Sequence, residues 1–171
     1  YFALRSETLF DTPVCIAREG RAMHKKRSIT LEAHAAGRDA QEYRWVLLLG
    51  DEEKVKIKPL EGSAARVEIE VEYHGTYRPT EGERGVQVSR VDVGCFVKGG
   101  ANWSAPSIYS LYWLADEERV YREDGQILSV DYSNATHRYA DPVLSMQKGW
   151  KDLYEYADDG ELLGWYRMRG G

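Results

Sequence analysis

Aromatic side chains are the most enriched residues that could take part in binding. The 171-residue chain holds five tryptophans and twelve tyrosines. Trp103, Trp150, Trp165 and Tyr166 fall in predicted turns or near the end of the sequence. Exposed aromatic rings form flat platforms for sugar rings and anchors for protein partners. These four are therefore the candidate ligand-binding residues, and the alternative is that they pack predicted hairpins onto a larger domain.

Metal-binding patterns are missing from the sequence. The four histidines, at positions 24, 34, 74 and 137, lack the spacing of zinc ligands. Acidic clusters such as Asp51-Glu52-Glu53 lack the offsets of an EF-hand loop. The sequence predicts no metal and no cofactor, while calcium held by separate loops stays open as an alternative.

Catalytic motifs are missing as well. The sequence has no Gly-x-Ser-x-Gly elbow, no phosphate-binding glycine loop and no dinucleotide fingerprint. Carboxylates are so abundant that any pair could be nominated for glycoside hydrolysis, which makes that pattern uninformative. We expect no catalytic residues, and an enzyme with an unrecognised site is the alternative.

Composition limits the partners further. The net charge is −5 and no basic patch occurs, which argues against nucleic acid. No apolar run approaches the roughly 20 residues of a spanning helix, so membrane insertion is not expected. The chain begins at Tyr1, which suggests part of a longer protein. Cys15 and Cys95 leave two alternatives open, a disulfide or two buried thiols.

A doubled phrase marks the last third of the chain. Tyr121 is followed by Asp-Gly at Gly125, and Tyr156 is followed by Asp-Gly at Gly160. Asp-Gly between short apolar runs predicts a hairpin with a two-residue type I′ turn. We expect the two glycines at equivalent hairpin tips and the two tyrosines in matching positions before them. Turn chemistry then accounts for the acids of both phrases.

Alternating segments predict the remaining strands. Residues 28–33, 67–73 and 91–97 alternate apolar and polar side chains, as half-buried strands do. Residues 43–49 are apolar on both faces and favour a central strand. Residues 55–59 carry two lysines and a proline, which favour an edge strand.

Four further segments complete the prediction. Residues 108–114 form another strand, and residues 99–102 a tight turn between strands. Residues 75–85 read as a long mobile loop, and 144–150 as one or two helical turns. Short strands at regular spacing are typical of a Greek-key β-sandwich.

Residues 28–115 resemble the polycystic-kidney-disease (PKD) and immunoglobulin-like sandwich families. The resemblance rests on Glu42-Tyr43-Arg44-Trp45, and on the valine strand 91–97 followed by Ser104-Ala105-Pro106. This chain has Gly50-Asp51-Glu52 where the family has Gly-Asp-Gly. The resemblance implies a non-catalytic spacer or adhesion module of a large surface or secreted protein.

The doubled phrase resembles the YD (Rhs-type) repeat, in which Tyr and Asp-Gly recur in tandem hairpins. Tyr121, Gly125, Tyr156 and Gly160 match that pattern. Arrays of many such repeats form large shells. Two copies cannot enclose anything, so the resemblance implies hairpin geometry and no function.

Together these observations predict an all-β chain, with an Ig/PKD-like Greek-key sandwich over residues 1–115 and two hairpins packed on it over 116–171. The expected function is a non-catalytic accessory or interaction domain of a larger secreted or cell-surface bacterial protein. Its partners would be other domains of that protein, a surface protein or a polysaccharide. A carbohydrate-binding module is the main alternative.

Overall fold

The computed structural model describes residues 16–20, 23–35, 40–78, 87–113, 117–133 and 149–170. Within these ranges every regular element is a β-strand, so the all-β prediction is confirmed. The strands form three sheets. Two of them lie in the first two thirds of the chain, and the third is built from the doubled phrase.

The first sheet has the order β1-β8-β6-β3, and the short β7 also pairs with β6. Strand β1 runs parallel to β8, whereas the other pairs are antiparallel. Its strands are β1 (Ile16–Gly20), β3 (Ala40–Leu49), β6 (Arg90–Gly99), β7 (Asn102–Trp103) and β8 (Ser107–Tyr112).

The second sheet is antiparallel, with the order β2-β5-β4. Its strands are β2 (Lys26–Glu32), β4 (Val55–Leu60) and β5 (Ser63–Glu72). In β5 the valines and Ile69 point inward while glutamates point outward, where Glu70 meets Lys56 of β4 at 3.7 Å. The strict alternation of apolar and polar residues therefore gives β5 one buried and one solvent-facing side.

The core lies between these two sheets. Buried residues of β5, such as Val67 and Ile69, belong to one cluster with Val91, Val93 and Leu111 of the first sheet. The chain places β2, β5 and β4 in one sheet and β3, β6 and β8 in the other. Two facing sheets around one buried cluster are the arrangement of a β-sandwich.

The edge predictions had opposite outcomes. Strand β4, with exposed Lys56 and Pro59, lies at the edge of its sheet as predicted. Strand β3 was predicted to be central, but it is the last strand of its sheet among the described residues. Its second apolar face has a local cause. A Cβ at Gly94 of β6 would stand 2.7 Å from Leu48 Cδ1, so Leu48 covers a position without a side chain.

The third sheet is an antiparallel meander with the order β12-β11-β10-β9. Two hairpins lie side by side and join through the pairing of β10 with β11. Its strands are β9 (Glu118–Tyr121), β10 (Ile127–Asp131), β11 (Trp150–Tyr156) and β12 (Leu162–Arg169).

The two hairpin tips are equivalent, as predicted, but each loop has three residues instead of two. Gly125 N–H donates to Arg122 O, and Arg122 N–H donates to Gln126 O. The second tip repeats both bonds from Ala157 to Glu161. The glycines have φ of 84° and 85°, the left-handed position that follows a turn in a three-residue loop.

The aspartates at the hairpin tips accept hydrogen bonds from the backbone of the turns, as predicted. Asp124 Oδ1 accepts a hydrogen bond from Gln126 N–H at 3.0 Å, and Asp159 Oδ1 accepts one from Glu161 N–H at 3.0 Å. Tyr121 and Tyr156 end β9 and β11 in matching positions.

Several predictions fall wholly or partly outside the described residues. These are Cys15, most of the 75–85 loop, and the 144–150 helix except for Gly149 and Trp150. Trp150 itself begins strand β11, so the helix prediction is wrong at that residue. The predicted domain boundary between residues 115 and 116 also lies outside the described residues and stays a prediction.

Candidate interaction surface

The four candidate aromatic residues all lie on strands and do not form one site. Trp103 lies on β7 in the first sheet, where Lys98 Nζ stands 5.8 Å from its ring centroid. Trp150, Trp165 and Tyr166 lie on the third sheet. Tyr166 follows Trp165 directly in β12, so the two side chains project from opposite faces.

The structure brings Trp150 and Trp165 together around a residue that the sequence did not single out. The Arg167 guanidinium carbon lies 4.2 Å from the Trp150 ring centroid and 5.1 Å from that of Trp165. Asp152 holds the same guanidinium with two hydrogen bonds, of 2.8 and 2.9 Å. Because Asp152 is buried and Arg167 is partly exposed, this is a fixed stack with one open side.

Register explains the stack. Asp152 pairs with Arg167, and Tyr154 pairs with Trp165, so these side chains share one face of the β11–β12 hairpin. Folding the second phrase about its Asp-Gly turn sets Asp152 opposite Arg167. That signal was available in the sequence, once the turn was used to align the two strands.

Among the residues that the structure describes, β12 is the outer strand of the third sheet, and it carries exposed apolar side chains on both faces. Five large hydrophobic residues lie on it with more than two fifths of their surface exposed: Leu162, Leu163, Trp165, Tyr166 and Met168. Natural edge strands usually carry lysines, prolines or bulges that discourage pairing. Strand β4 follows that rule with its lysines and Pro59, whereas β12 combines an irregular pairing step at Leu163 and two arginines with its exposed apolar side chains.

The free side of β12 can be assigned from the hydrogen-bonding pattern. Gly170 N–H donates to Gly149 O, and Tyr132 N–H donates to Trp150 O. Bonded and non-bonded pairs alternate along an antiparallel ladder. Tyr166 and Met168 therefore bond to β11, whereas the N–H and C=O groups of Trp165, Arg167 and Arg169 point away from the sheet.

The opposite side of the third sheet contacts the sandwich. Arg119 N–H on β9 donates to Tyr73 Oη at 3.4 Å, and the Tyr73 and Tyr121 rings lie 5.2 Å apart. Lys25 N–H donates to Gly125 O at 2.7 Å. Burial raises the pKa of Tyr73, as expected for a hydroxyl within this contact. The sheet thus meets the sandwich through β9 and the first hairpin tip.

A buried ion pair lies beside this contact. Arg119 Nη2 and Nε reach Glu117 Oε2 at 2.6 and 3.0 Å, and both side chains are almost wholly buried. Removing one partner of such a pair leaves a buried charge without its counterion. The pair therefore fixes the start of β9 and has little access to solvent.

His74 is held as a neutral ring within the sandwich. Asp51 N–H donates to His74 Nε2 at 3.0 Å, so Nδ1 carries the proton and donates to Glu72 O at 2.6 Å. Burial lowers the pKa of His74, and the ring stacks near Trp113 at a centroid distance of 6.0 Å. The geometry gives His74 a structural role.

Within the described ranges, no group of three or more His, Cys, Asp or Glu side chains is arranged to hold a metal ion. In the same part of the chain no helix is long and apolar enough to cross a membrane. Burial raises the pKa of Tyr77 and of Tyr132 to about 12, so both phenols are protonated at neutral pH.

Comparisons with protein-family models, with curated proteins and with solved structures find no match.

Proposed function

We propose that this chain is a non-catalytic interaction domain that binds a protein partner along the outer edge of β12. The observation that carries the proposal is one edge strand that combines five exposed apolar side chains with outward backbone groups that no strand of the described residues pairs with. Adding a strand to such an edge supplies main-chain hydrogen bonds, and the side chains of the edge supply specificity.

The arrangement of the third sheet supports this role. Its β9 side is occupied by Tyr73 of the sandwich, which leaves β12 on the side away from that contact. The Asp152–Arg167 pair and the two indoles stiffen the β11–β12 hairpin. A rigid strand loses little conformational freedom when a partner binds.

The proposal also covers the larger protein to which this domain would belong. The division of β2, β5 and β4 from β3, β6 and β8 resembles that of immunoglobulin-type sandwiches, and with the PKD-like Tyr43-Arg44-Trp45 strand it favours a spacer or assembly domain of a larger bacterial extracytoplasmic protein. The two Asp-Gly hairpins support a YD-like geometry at the C-terminal side. The sandwich would then position the third sheet and its β12 edge.

Site-specific photo-crosslinking tests the proposal. A photoreactive phenylalanine analogue replaces Tyr166 or Leu163 on β12, and in a matched control it replaces Lys58 on the β4 edge. We expect covalent protein adducts at the two β12 positions in the native host, and a defined partner peptide in mass spectrometry. Equal or greater adduct yield at position 58 would contradict the proposal.

Carbohydrate binding is the second candidate, and Trp165 favours it because 54% of its surface is exposed. Arg167 lies over this ring, so a sugar would have to stack on the indole's other side. An affinity gel containing soluble polysaccharides tests this function. Retardation that is lost in Trp165→Ala but kept in Trp103→Ala would support it, and equal mobility of both variants and the parent would reject it.

A further inference from the structure

The outer edge of β12 has a charge pattern that selects an antiparallel partner. The strand ends in Arg167 and Arg169 and contains no acidic residue. The turn before it carries Asp158, Asp159 and Glu161. A parallel copy of the same strand would set like charges together, whereas an antiparallel copy sets the basic end of each strand beside the acidic turn of the other.

We propose that β12 pairs antiparallel with β12 of a second copy of this chain, with Trp165 opposite Trp165 on the two-fold axis. The inference rests on the proposed function and names the partner of the same edge. It makes a symmetric, self-complementary contact, which is the commonest kind in homodimers.

The register follows from the side chains and the backbone. With Trp165 on the axis, Tyr166 of each copy lies opposite Gly164 of the other. No atom lies within 4 Å of a Cβ built at Gly164, so there is room for a ring over that glycine. Aromatic side chains placed across from edge glycines stabilise designed sheets in the same way.

The remaining cross-strand pairs are also compatible. The pairing of β12 is irregular at Leu163, so the regular ladder ends at Gly164, and the exposed Leu162 and Leu163 lie near the exposed Met168 of the other copy. The acidic turn with Glu161 lies beside Arg169 of the other copy, an attractive arrangement at each end of the ladder. The outward N–H and C=O groups of Trp165 and Arg167 receive partners, and Trp165 forms a hydrogen-bonded pair with its symmetry mate.

A contact made mainly by one strand from each copy is small, so we expect reversible dimerisation. Sedimentation velocity over a range of concentrations gives the first test. The parent chain should pass from monomer to dimer as concentration rises. A chain that stays monomeric up to about 1 mM would overturn the proposal.

Charge reversal tests the antiparallel register. Arg169→Glu should raise the dimer dissociation constant at least tenfold, because it places a negative charge beside the acidic turn of the other copy. Adding Glu161→Arg to the same chain should restore most of the affinity. The control Glu123→Lys, at the exposed tip of the first hairpin, should change the constant less than threefold. A double variant no better than Arg169→Glu would overturn the register.

Disulfide trapping tests the position of the two-fold axis. Trp165→Cys should give a covalent dimer on mild oxidation, since Cα atoms of a hydrogen-bonded antiparallel pair are about 5.5 Å apart and within disulfide range. Tyr166→Cys faces Gly164 and should not link to itself. Peptide mapping separates the new link from any bond of Cys15 or Cys95. Equal linking by both variants would overturn the proposal.

These outcomes separate the two proposals. If the chain stays monomeric while the photoreactive positions on β12 capture a different protein, the edge binds a partner and the self-pairing is wrong. If neither dimers nor adducts form at β12, both proposals fail.

Discussion

At the scale of single residues, the buried charged side chains of the third sheet have structural roles. Glu117 and Arg119 bind each other beneath the surface, next to the contact between β9 and Tyr73. Asp152 fixes Arg167 between two indoles. Abundant carboxylates make catalytic pairs easy to nominate from a sequence. Here, four carboxylates named above already have partners within the fold: Glu117, Asp124, Asp152 and Asp159.

Removing the carboxylate of the buried pair should be costly. Glu117→Gln leaves Arg119 charged and without its counterion, and we expect the free energy of unfolding to fall by about 3–5 kcal/mol. Glu118→Gln, at the exposed neighbouring position, should change it by less than about 0.5 kcal/mol. Urea denaturation followed by circular dichroism measures both. Equal effects would show that the buried pair does not hold β9.

His74 should make stability depend on pH. Its folded-state pKa lies below the ordinary value because burial disfavours the charged ring. The unfolded chain therefore binds a proton first as pH falls below about 6.5, and the stabilisation present above that pH is lost on acidification. Denaturation midpoints at pH 7.5 and pH 5.5 measure the loss.

A variant isolates that contribution. His74→Gln can still accept the hydrogen bond from Asp51 N–H but does not titrate. We expect a smaller fall in stability between the two pH values for this variant than for the parent chain. An identical fall would assign the pH dependence to other groups.

At the scale of elements, the hairpins show how a partly wrong turn gave a correct register. The sequence predicted two-residue loops, and the structure has three-residue loops followed by an irregular pairing step. The irregular step shifts the strand pairing by one residue, and this shift offsets the extra residue in each loop. Beyond it, the strands pair as a two-residue loop would have set them, with Val120 opposite Ser129 and Asp152 opposite Arg167. The left-handed glycine was predictable, and the bulge was not.

The tip glycine of the second hairpin should resist substitution. Gly160 has φ of 85°, where a Cβ costs about 1–2 kcal/mol. Gly160→Ala should therefore destabilise the chain by that amount in thermal or urea denaturation. Gly164→Ala is the matched control, since it meets no atom within 4 Å and has no positive φ, and we expect almost no loss. A larger loss at Gly164 than at Gly160 would contradict the turn assignment.

At the scale of the whole molecule, local alternation was enough for the sandwich and not for its edges. Strands with period-two patterns, such as 67–73 and 91–97, have buried faces where the sequence put them. The prediction that β3 is a central strand was wrong because its outward-facing apolar residue, Leu48, covers Gly94 of β6. The sequence also did not show that the candidate aromatic residues lie on different sheets. Which sheet a strand joins depends on long-range pairing, and local sequence patterns do not reveal that pairing. The C-terminal edge was likewise missed, because β12 was read only as part of a hairpin.

Residue-resolved amide hydrogen exchange of the dilute monomer tests the open β12 edge most directly. We predict an alternating pattern, in which the amides of Tyr166 and Met168 exchange slowly because they bond to β11, and those of Trp165 and Arg167 exchange fast. Slow exchange at Trp165 and Arg167 in the monomer, matching that of Tyr166 and Met168, would show that the edge is already covered. In that case β12 would have no free backbone groups to offer a partner.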